Sequence, residues 1–183
     1  MFQMKMMGLR NSVFWQSWVI TYLISFFIVC ILVIAICRGS LFKYSDMGLL
    51  FLFFFSFCLS LIALACMVTT FFSRAKTAGT LSPFLLLAGY LPYFGVSDPA
   101  KAQGAKVSAC LFSPVAFSLG STNIISFEGV FMGSQWNNAG QLVDNFTLSA
   151  AISMMFFDAV LYGFLAWYLD KIWPREYGTP MKW

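Results

Sequence analysis

Long stretches of this chain carry no charge, and that constrains its fold more than any other feature. Between Arg10 and Arg38 lie 27 residues without a charged side chain, and another 27 separate Asp46 from Arg74. Lys76 to Asp98 and Lys106 to Glu128 each enclose 21 more, and residues 145–169 hold a single charge, Asp158. A helix needs about 20 apolar residues to cross a bilayer core. Five segments qualify by length: 12–37, 47–72, 78–96, 107–127 and 148–169. Barrel strands would alternate in polarity and be about half as long. The first run is too long for a signal peptide, and no small-residue cleavage site follows it. Composition agrees with this reading. Of 183 residues, 60% are hydrophobic and 10% charged, whereas a soluble domain is about 25% charged. Disorder is excluded by the same figures. The chain has no histidine, which rules out an imidazole base or metal ligand. The sequence therefore describes an all-α polytopic membrane protein.

The fourth segment differs from the others. Pro114 and Gly120 interrupt it, and Ser113, Ser118, Ser121, Thr122 and Asn123 make it polar. The following stretch, Ile124–Met132, is apolar around Glu128. Two short helices meeting at Gly120–Asn123 would form a hairpin that enters and leaves on one side. Backbone of that kind is tolerated at membrane depth only when it is buried in protein or lines a watery cavity. The competing reading is an ordinary span kinked at Pro114. With a hairpin there are four crossings, and both termini share a side. Lys5, Arg10, Arg74, Lys76, Lys171, Arg175 and Lys182 then oppose Arg38, Lys43, Lys101 and Lys106. The excess places the termini in the cytoplasm. Asn145-Phe146-Thr147 is a glycosylation sequon that this topology puts outside.

Few residues are suited to chemistry. There is no phosphate-binding G-x-x-x-x-G-K-[ST] loop and no catalytic triad. The five cysteines, Cys30, Cys37, Cys58, Cys66 and Cys110, lie in or beside apolar runs and read as packed thiols. Asp158 stands out, because a carboxylate at mid-span costs about 2.5–3.5 kcal/mol and needs a partner. Tyr162, four residues on, shares its helical face and is a candidate donor. Two readings of Asp158 stand: a tie between the last helix and a neighbour or the hairpin, or a proton or substrate site. Glu128 is either an interfacial carboxylate or a polar lining residue near an outer exit. Trp15, Trp18, Tyr90, Tyr93, Trp136, Trp167, Tyr168 and Trp173 fall at the span boundaries, as interfacial aromatics do. Phe51, Phe53, Phe54, Phe55 and Phe57 read as packing or lipid-facing residues rather than a ligand pocket.

A string of motifs resembles one family. Lys5-Met6-Met7-Gly8-Leu9, with Trp15 and Trp18 after it, is similar to the end of the cytoplasmic coupling helix in ATP-binding cassette transporters of subfamily A, the lipid exporters. Thr70–Ala75 resembles their turn before the fifth helix, and Tyr90-Leu91-Pro92-Tyr93 that helix's outer end. Ser113–Phe117, Phe127-Glu128-Gly129 and Gly133-Ser134-Gln135-Trp136-Asn137-Asn138 resemble the exocytoplasmic hairpin. Asp158–Gly163, Trp167-Tyr168, Trp173-Pro174 and Tyr177–Pro180 resemble the last helix and the run toward the ATPase domain.

The resemblance implies four transmembrane helices (12–37, 47–72, 78–96, 148–169) and a re-entrant exocytoplasmic hairpin over 107–135. Residues 1–10 would end the coupling helix, and 170–183 would begin the linker to the ATPase domain. These helices would be the third to sixth of a six-helix half. The first two helices, a large extracellular domain, most of the coupling helix and the nucleotide-binding domain would lie outside these residues. The implied role is the membrane part of an ATP-driven lipid translocase, with lipids as substrate and a second transmembrane half as partner. No nucleic acid is expected. The chain itself would bind no cofactor, since ATP and magnesium belong to the nucleotide-binding domain, and it would lack transport activity alone. Lys5, Met6, Met7, Gly8 and Leu9 would couple to that domain. Pro114, Phe117, Glu128, Gln135 and Trp136 would form the hairpin exit. Residence in a plasma membrane or endomembrane is expected. The alternatives are a stand-alone permease subunit that recruits a separate ATPase, or a non-transport tetraspan protein or inactive fragment.

Overall fold

The computed structural model describes residues 11–72 and 75–172. Among these, regular structure is helical, with one isolated bridge between Val143 and Phe146. Seven helices follow in order: α1 Asn11–Ser40, α2 Met47–Phe71, α3 Ala75–Tyr90, α4 Pro92–Val96, α5 Gln103–Ala109, α6 Ser113–Gly129 and α7 Leu148–Ile172. Four stretches are long and apolar enough to cross a membrane: Gln16–Ser40, Met47–Phe71, Thr77–Val96 and Leu148–Asp170. The third covers α3 and α4, which are separated at Leu91 because Pro92 starts a new helix without an N–H to give. Asp46 caps α2, its carboxylate accepting from the Gly48 N–H at 2.8 Å.

The core is built on α2 and α7, which run side by side in the same direction and form the most extensive pairing. Leu49, Leu50 and Phe53 of α2 and Leu148, Ala151, Ile152 and Met155 of α7 are buried there. Helix α1 packs on α2 alone to any extent. It turns Ile20, Ile24, Ile28, Ile31, Leu32 and Ile36 outward, as a lipid-facing helix does. Apolar surface exposed to this degree is stable only where the surroundings are apolar.

The phenylalanine run in α2 serves two neighbours. Phe51 and Phe55 meet Phe27 of α1 edge-on, at 5.4 and 6.2 Å between ring centres. Phe53, Phe54 and Phe57 surround Phe117 of α6, the tightest pair being Phe57–Phe117 at 4.2 Å. Residues four apart share a helical face, so one run of aromatics holds α1 on one side and the hairpin on the other.

The hairpin consists of α5 and α6, and its turn is not where the sequence placed it. Gly120–Asn123 lies inside a continuous 17-residue helix, and the chain reverses at Cys110–Phe112 instead. Pro114 neither kinks a span nor sits mid-arm, because it occupies the first turn of α6, where a missing N–H costs nothing. The polar stretch is helical with its hydroxyls satisfied by carbonyls four residues back: Ser118 to Pro114, Ser121 to Phe117, Thr122 to Ser118 and Ser126 to Thr122. Gly120 is small for a packing reason. A Cβ there would lie 2.4 Å from the Phe53 ring and 3.0 Å from the Ala151 Cβ.

Gly120→Ala is therefore expected to destabilise the fold by about 1–3 kcal/mol through overpacking. Gly163→Ala, whose new Cβ meets nothing within 4 Å, should leave stability nearly unchanged. Melting temperatures of the two variants in one detergent check this. Equal melting would mean that α6 does not approach α2 closely at Gly120.

Candidate functional site

The polar groups of the membrane region are concentrated on the seam where α6 lies against α7. The two helices run antiparallel, and three contacts set their register. At the deep end the Ser113 hydroxyl donates to Asp158 Oδ2 at 3.1 Å. In the middle Gly120 sits against Ala151. At the shallow end the Asn123 side-chain amide donates to the Phe146 carbonyl at 3.1 Å. Asp158 lies ten residues into α7, about 15 Å along its axis. The hairpin tip therefore lies beside the middle of α7.

Asp158 is fully buried, and its Oδ1 has no hydrogen-bond partner among the described residues. The side chain ties the last helix to the start of α6. Tyr162 does not serve it as donor, contrary to the helical-face expectation. The tyrosine hydroxyl donates instead to the Leu111 carbonyl at 2.6 Å, holding the hairpin tip. Both residues thus grip the reversal at Cys110–Phe112 from the same face of α7. Pro114 lies beside this reversal, close to Gly89 of α3.

Glu128 closes the shallow end. Its Oε1 accepts from the Tyr44 N–H at 2.9 Å, and its Oε2 accepts from the Ser45 hydroxyl at 2.6 Å. Ser45 Oγ in turn accepts from the Ser134 N–H at 2.9 Å, and the Asp46 N–H donates to the Ser134 carbonyl at 2.8 Å. This clasp joins the α1–α2 loop to the segment after α6. Gly133, at φ +67°, lies so near Tyr44 that a Cβ would meet its carbonyl at 2.2 Å. Phe131 is also left-handed, at φ 59°, and points outward beside Tyr44. Gln135 and Trp136 are exposed, and Asn138 bonds back to Gly133 and Gln135, fixing their loop.

A third fastening joins α5 to the loop before α7. Asp144 and Asn145 both have positive φ and form a two-residue turn closed by paired Val143–Phe146 hydrogen bonds. Lys106, counted from sequence among the loop charges, is buried and donates its ammonium to the Asp144 carbonyl. The Asn145 amide donates to the Pro99 carbonyl at 3.1 Å, and Thr147 Oγ1 accepts from the Ala150 N–H at the start of α7. Sequence reasoning missed Ser45 and took Lys106 only as a loop charge, while Ser113, Asn123 and Ser134 were noted for polarity or motif without their partners. Lys5, Met6, Met7, Gly8 and Leu9, and everything from Trp173 on, lie outside the described residues.

The arrangement is suited to holding helices in register. Among the described residues no cluster of three or more cysteine, aspartate or glutamate side chains could hold a metal.

Residues 1–168 match the family model described as ABC-2 family transporter protein. The chain belongs to this family. It is 37% identical, over 98% of its length, to the retinal-specific phospholipid-transporting ATPase ABCA4 of both Bos taurus and Homo sapiens, covering 8% of each. It is 34% identical to the human phospholipid-transporting ATPase ABCA7, again over 98% of its length and covering 9% of that protein. The ABC-2 chain thus spans about a tenth of the length of the curated relatives it matches, and the resemblance to subfamily A holds along nearly all of it. It is the membrane part of a transporter, integral and multi-pass.

Three substitutions test the seam of this ABC-2 chain. Tyr162→Phe removes the donor to the Leu111 carbonyl and should cost about 0.5–1.5 kcal/mol, the net contribution of one such hydrogen bond. Glu128→Ala should release the α1–α2 loop and raise the protease sensitivity of residues 41–46, whereas Glu128→Gln, which keeps one acceptor oxygen, should do so less. Thermal melts and limited proteolysis read the two effects. Unchanged cleavage in Glu128→Ala would remove the clasp from the account.

Proposed function

We propose that the chain forms part of the lipid path of an ATP-driven transporter, with its helices moved by an ATPase domain outside this chain. The observation that carries the reading is a helical hairpin whose tip is tied to the middle of the apolar helix α7, in a chain 37% identical to proteins named phospholipid-transporting ATPases. A hairpin tied to α7 at both ends moves with α7 as one body. Tilting of α7 is then passed to the hairpin, which is the rigid-body gating that alternating access needs. Lipids are the substrate in this reading, and a second transmembrane half completes the path. Lys5–Leu9 receive the motion of the ATPase domain.

The hairpin enters from the exocytoplasmic face, and the termini are cytoplasmic. What supports this is the charge excess at the terminal side, seven against four. Asn145 is exposed at the opposite end, and its amide has one N–H for Pro99 and one position for a sugar. That makes it a glycan acceptor. A mobility shift on peptide-N-glycosidase treatment, absent in Asn145→Gln, is the expected result.

Vesicles holding the whole protein that carries this chain are expected to move fluorescent phospholipid only with ATP and magnesium. The 183-residue chain alone should move none. Cysteines placed at Ser97 and Asn138 should react with impermeant reagents from one and the same side. Labelling from opposite sides would show that residues 107–135 cross the membrane and would remove the hairpin reading. ATP-independent movement by the whole protein would remove the transporter reading.

A further inference from the structure

Helix α1 is held by little. It packs on α2 alone to any extent. Of its residues from Gln16 on, Cys30 and Ile34 are buried, and most of the others face outward. Cys30 therefore belongs to the one contact that seats the helix. What it meets there is a second thiol. Its Sγ lies 3.7 Å from the Sγ of Cys58 on α2, one thiol donating to the other. One helical turn before each cysteine stands a phenylalanine, and these two rings, Phe27 and Phe55, meet edge-on at 6.2 Å. The aromatic contact keeps α1 and α2 together beside the thiols.

Two properties set this pair apart. The first is partnership and access. Cys37, Cys66 and Cys110 have no thiol partner among the described residues. Cys30 is buried, whereas Cys58 is partly exposed on a long apolar helix. A reagent dissolved in the bilayer can reach Cys58, and Cys58 can pass the reaction on to Cys30. The second is the kind of chemistry the surroundings allow. The nearest charges along the two helices are Arg38, eight residues after Cys30, and Asp46, twelve before Cys58. An ionised thiol is poorly tolerated in such apolar surroundings. Removal of a hydrogen atom leaves no charge behind, so it suits the place. Lipid peroxyl radicals, which form in unsaturated bilayers under oxygen, take hydrogen atoms in this way.

We propose that Cys30 and Cys58 form an oxidation site, at which lipid peroxyl radicals convert the thiol pair to a disulfide that fastens α1 to α2. A first radical takes the hydrogen atom of Cys58: the S–H bond breaks, an O–H bond forms, and a lipid hydroperoxide leaves. Cys30 passes its hydrogen atom to Cys58 across the contact between the two sulfurs. A second radical removes that atom in turn, and the two sulfur radicals pair as an S–S bond. Each thiol loses one electron and one proton, and each peroxyl radical gains them. Closing from 3.7 Å to a bond of about 2.05 Å needs a shift of about 1.7 Å, which a helix packed on one neighbour can make. Exchange with a dithiol restores the pair. The site goes beyond the transporter reading and does not rest on it, because the chemistry needs only two thiols and a bilayer.

The test uses the whole protein that carries this chain, in nanodiscs of polyunsaturated phosphatidylcholine, with a lipid-soluble azo initiator under air. Peptides are mapped by mass spectrometry without reductant. The expected product is a linked Cys30–Cys58 peptide, two hydrogens lighter than the separate thiols and lost on reduction. Tocopherol in the same bilayer, which quenches peroxyl radicals, should prevent it. Cys30→Ser and Cys58→Ser should each abolish it, and Cys58→Ala keeps the apolar packing if the serine variant fails to fold. The oxidised protein should melt higher than the same sample after reduction, a shift absent from Cys30→Ser. No linked peptide after radical exposure, linkage undiminished by tocopherol, or Cys58 joined to Cys37 or Cys66 as readily as to Cys30 would each overturn the proposal. So would Cys58 carried on to a sulfonic acid with Cys30 left as a thiol. A linked protein that melts no higher than the reduced one would remove the fastening of α1.

Discussion

The fold depends on one requirement: a chain reversal packed against the middle of an apolar helix has to find its hydrogen bonds inside the protein. Water is not there to supply them, and an unpaired backbone group costs several kcal/mol in hydrocarbon. The reversal at Cys110–Phe112 meets the requirement in two ways. The amides of Cys110, Leu111 and Phe112 bond carbonyls three or four residues back, and the Leu111 carbonyl is met by the Tyr162 hydroxyl. Asp158, which would be an expense in a lone helix, takes the Ser113 hydroxyl one residue before Pro114 begins its helix turn. The two polar residues of α7 and the hairpin tip therefore need each other. Neither is stable there without the other.

Once the tip is fixed, the rest of the hairpin follows from its register. Moving α6 by one residue would rotate Gly120 away from Phe53 and bring a side chain into a space that has none to spare. It would also separate Asn123 from Phe146 and Glu128 from Tyr44 and Ser45. Close packing of this kind fixes one register along the length of the seam. The bundle is well filled on the hairpin side and loose on the terminal side, where small residues of α7 leave a groove.

Much of this was legible in the residues. Missing charge marked the long helices, because few charged groups can enter hydrocarbon at tolerable cost. The polar, proline-containing fourth segment marked a hairpin, because no twenty-residue apolar stretch remained to cross. Asp158 was identifiable as a residue in need of a partner. Its partner was not, since helical spacing pointed to Tyr162 and the structure supplies Ser113. The turn was misplaced for a related reason. Gly120-Ser121-Thr122-Asn123 has the composition of a turn, yet its hydroxyls bond back along the helix and its glycine meets a phenylalanine from another helix.

The sequence by itself determined the environment, the number of long helices and the family, because these depend on composition and on local order along the chain. Tertiary structure alone decided the place of the hairpin tip along α7, the two-sided use of the α2 phenylalanines, the clasp from Glu128 to Ser134 and the open groove beside Gly163. Each of these joins residues from different helices, whose spacing along the chain says nothing about their distance in space. A glycine reads the same in sequence whether it admits a neighbour, as at Gly120, or leaves room, as at Gly163. Only the packed helices distinguish the two, since only they show what stands opposite the missing side chain.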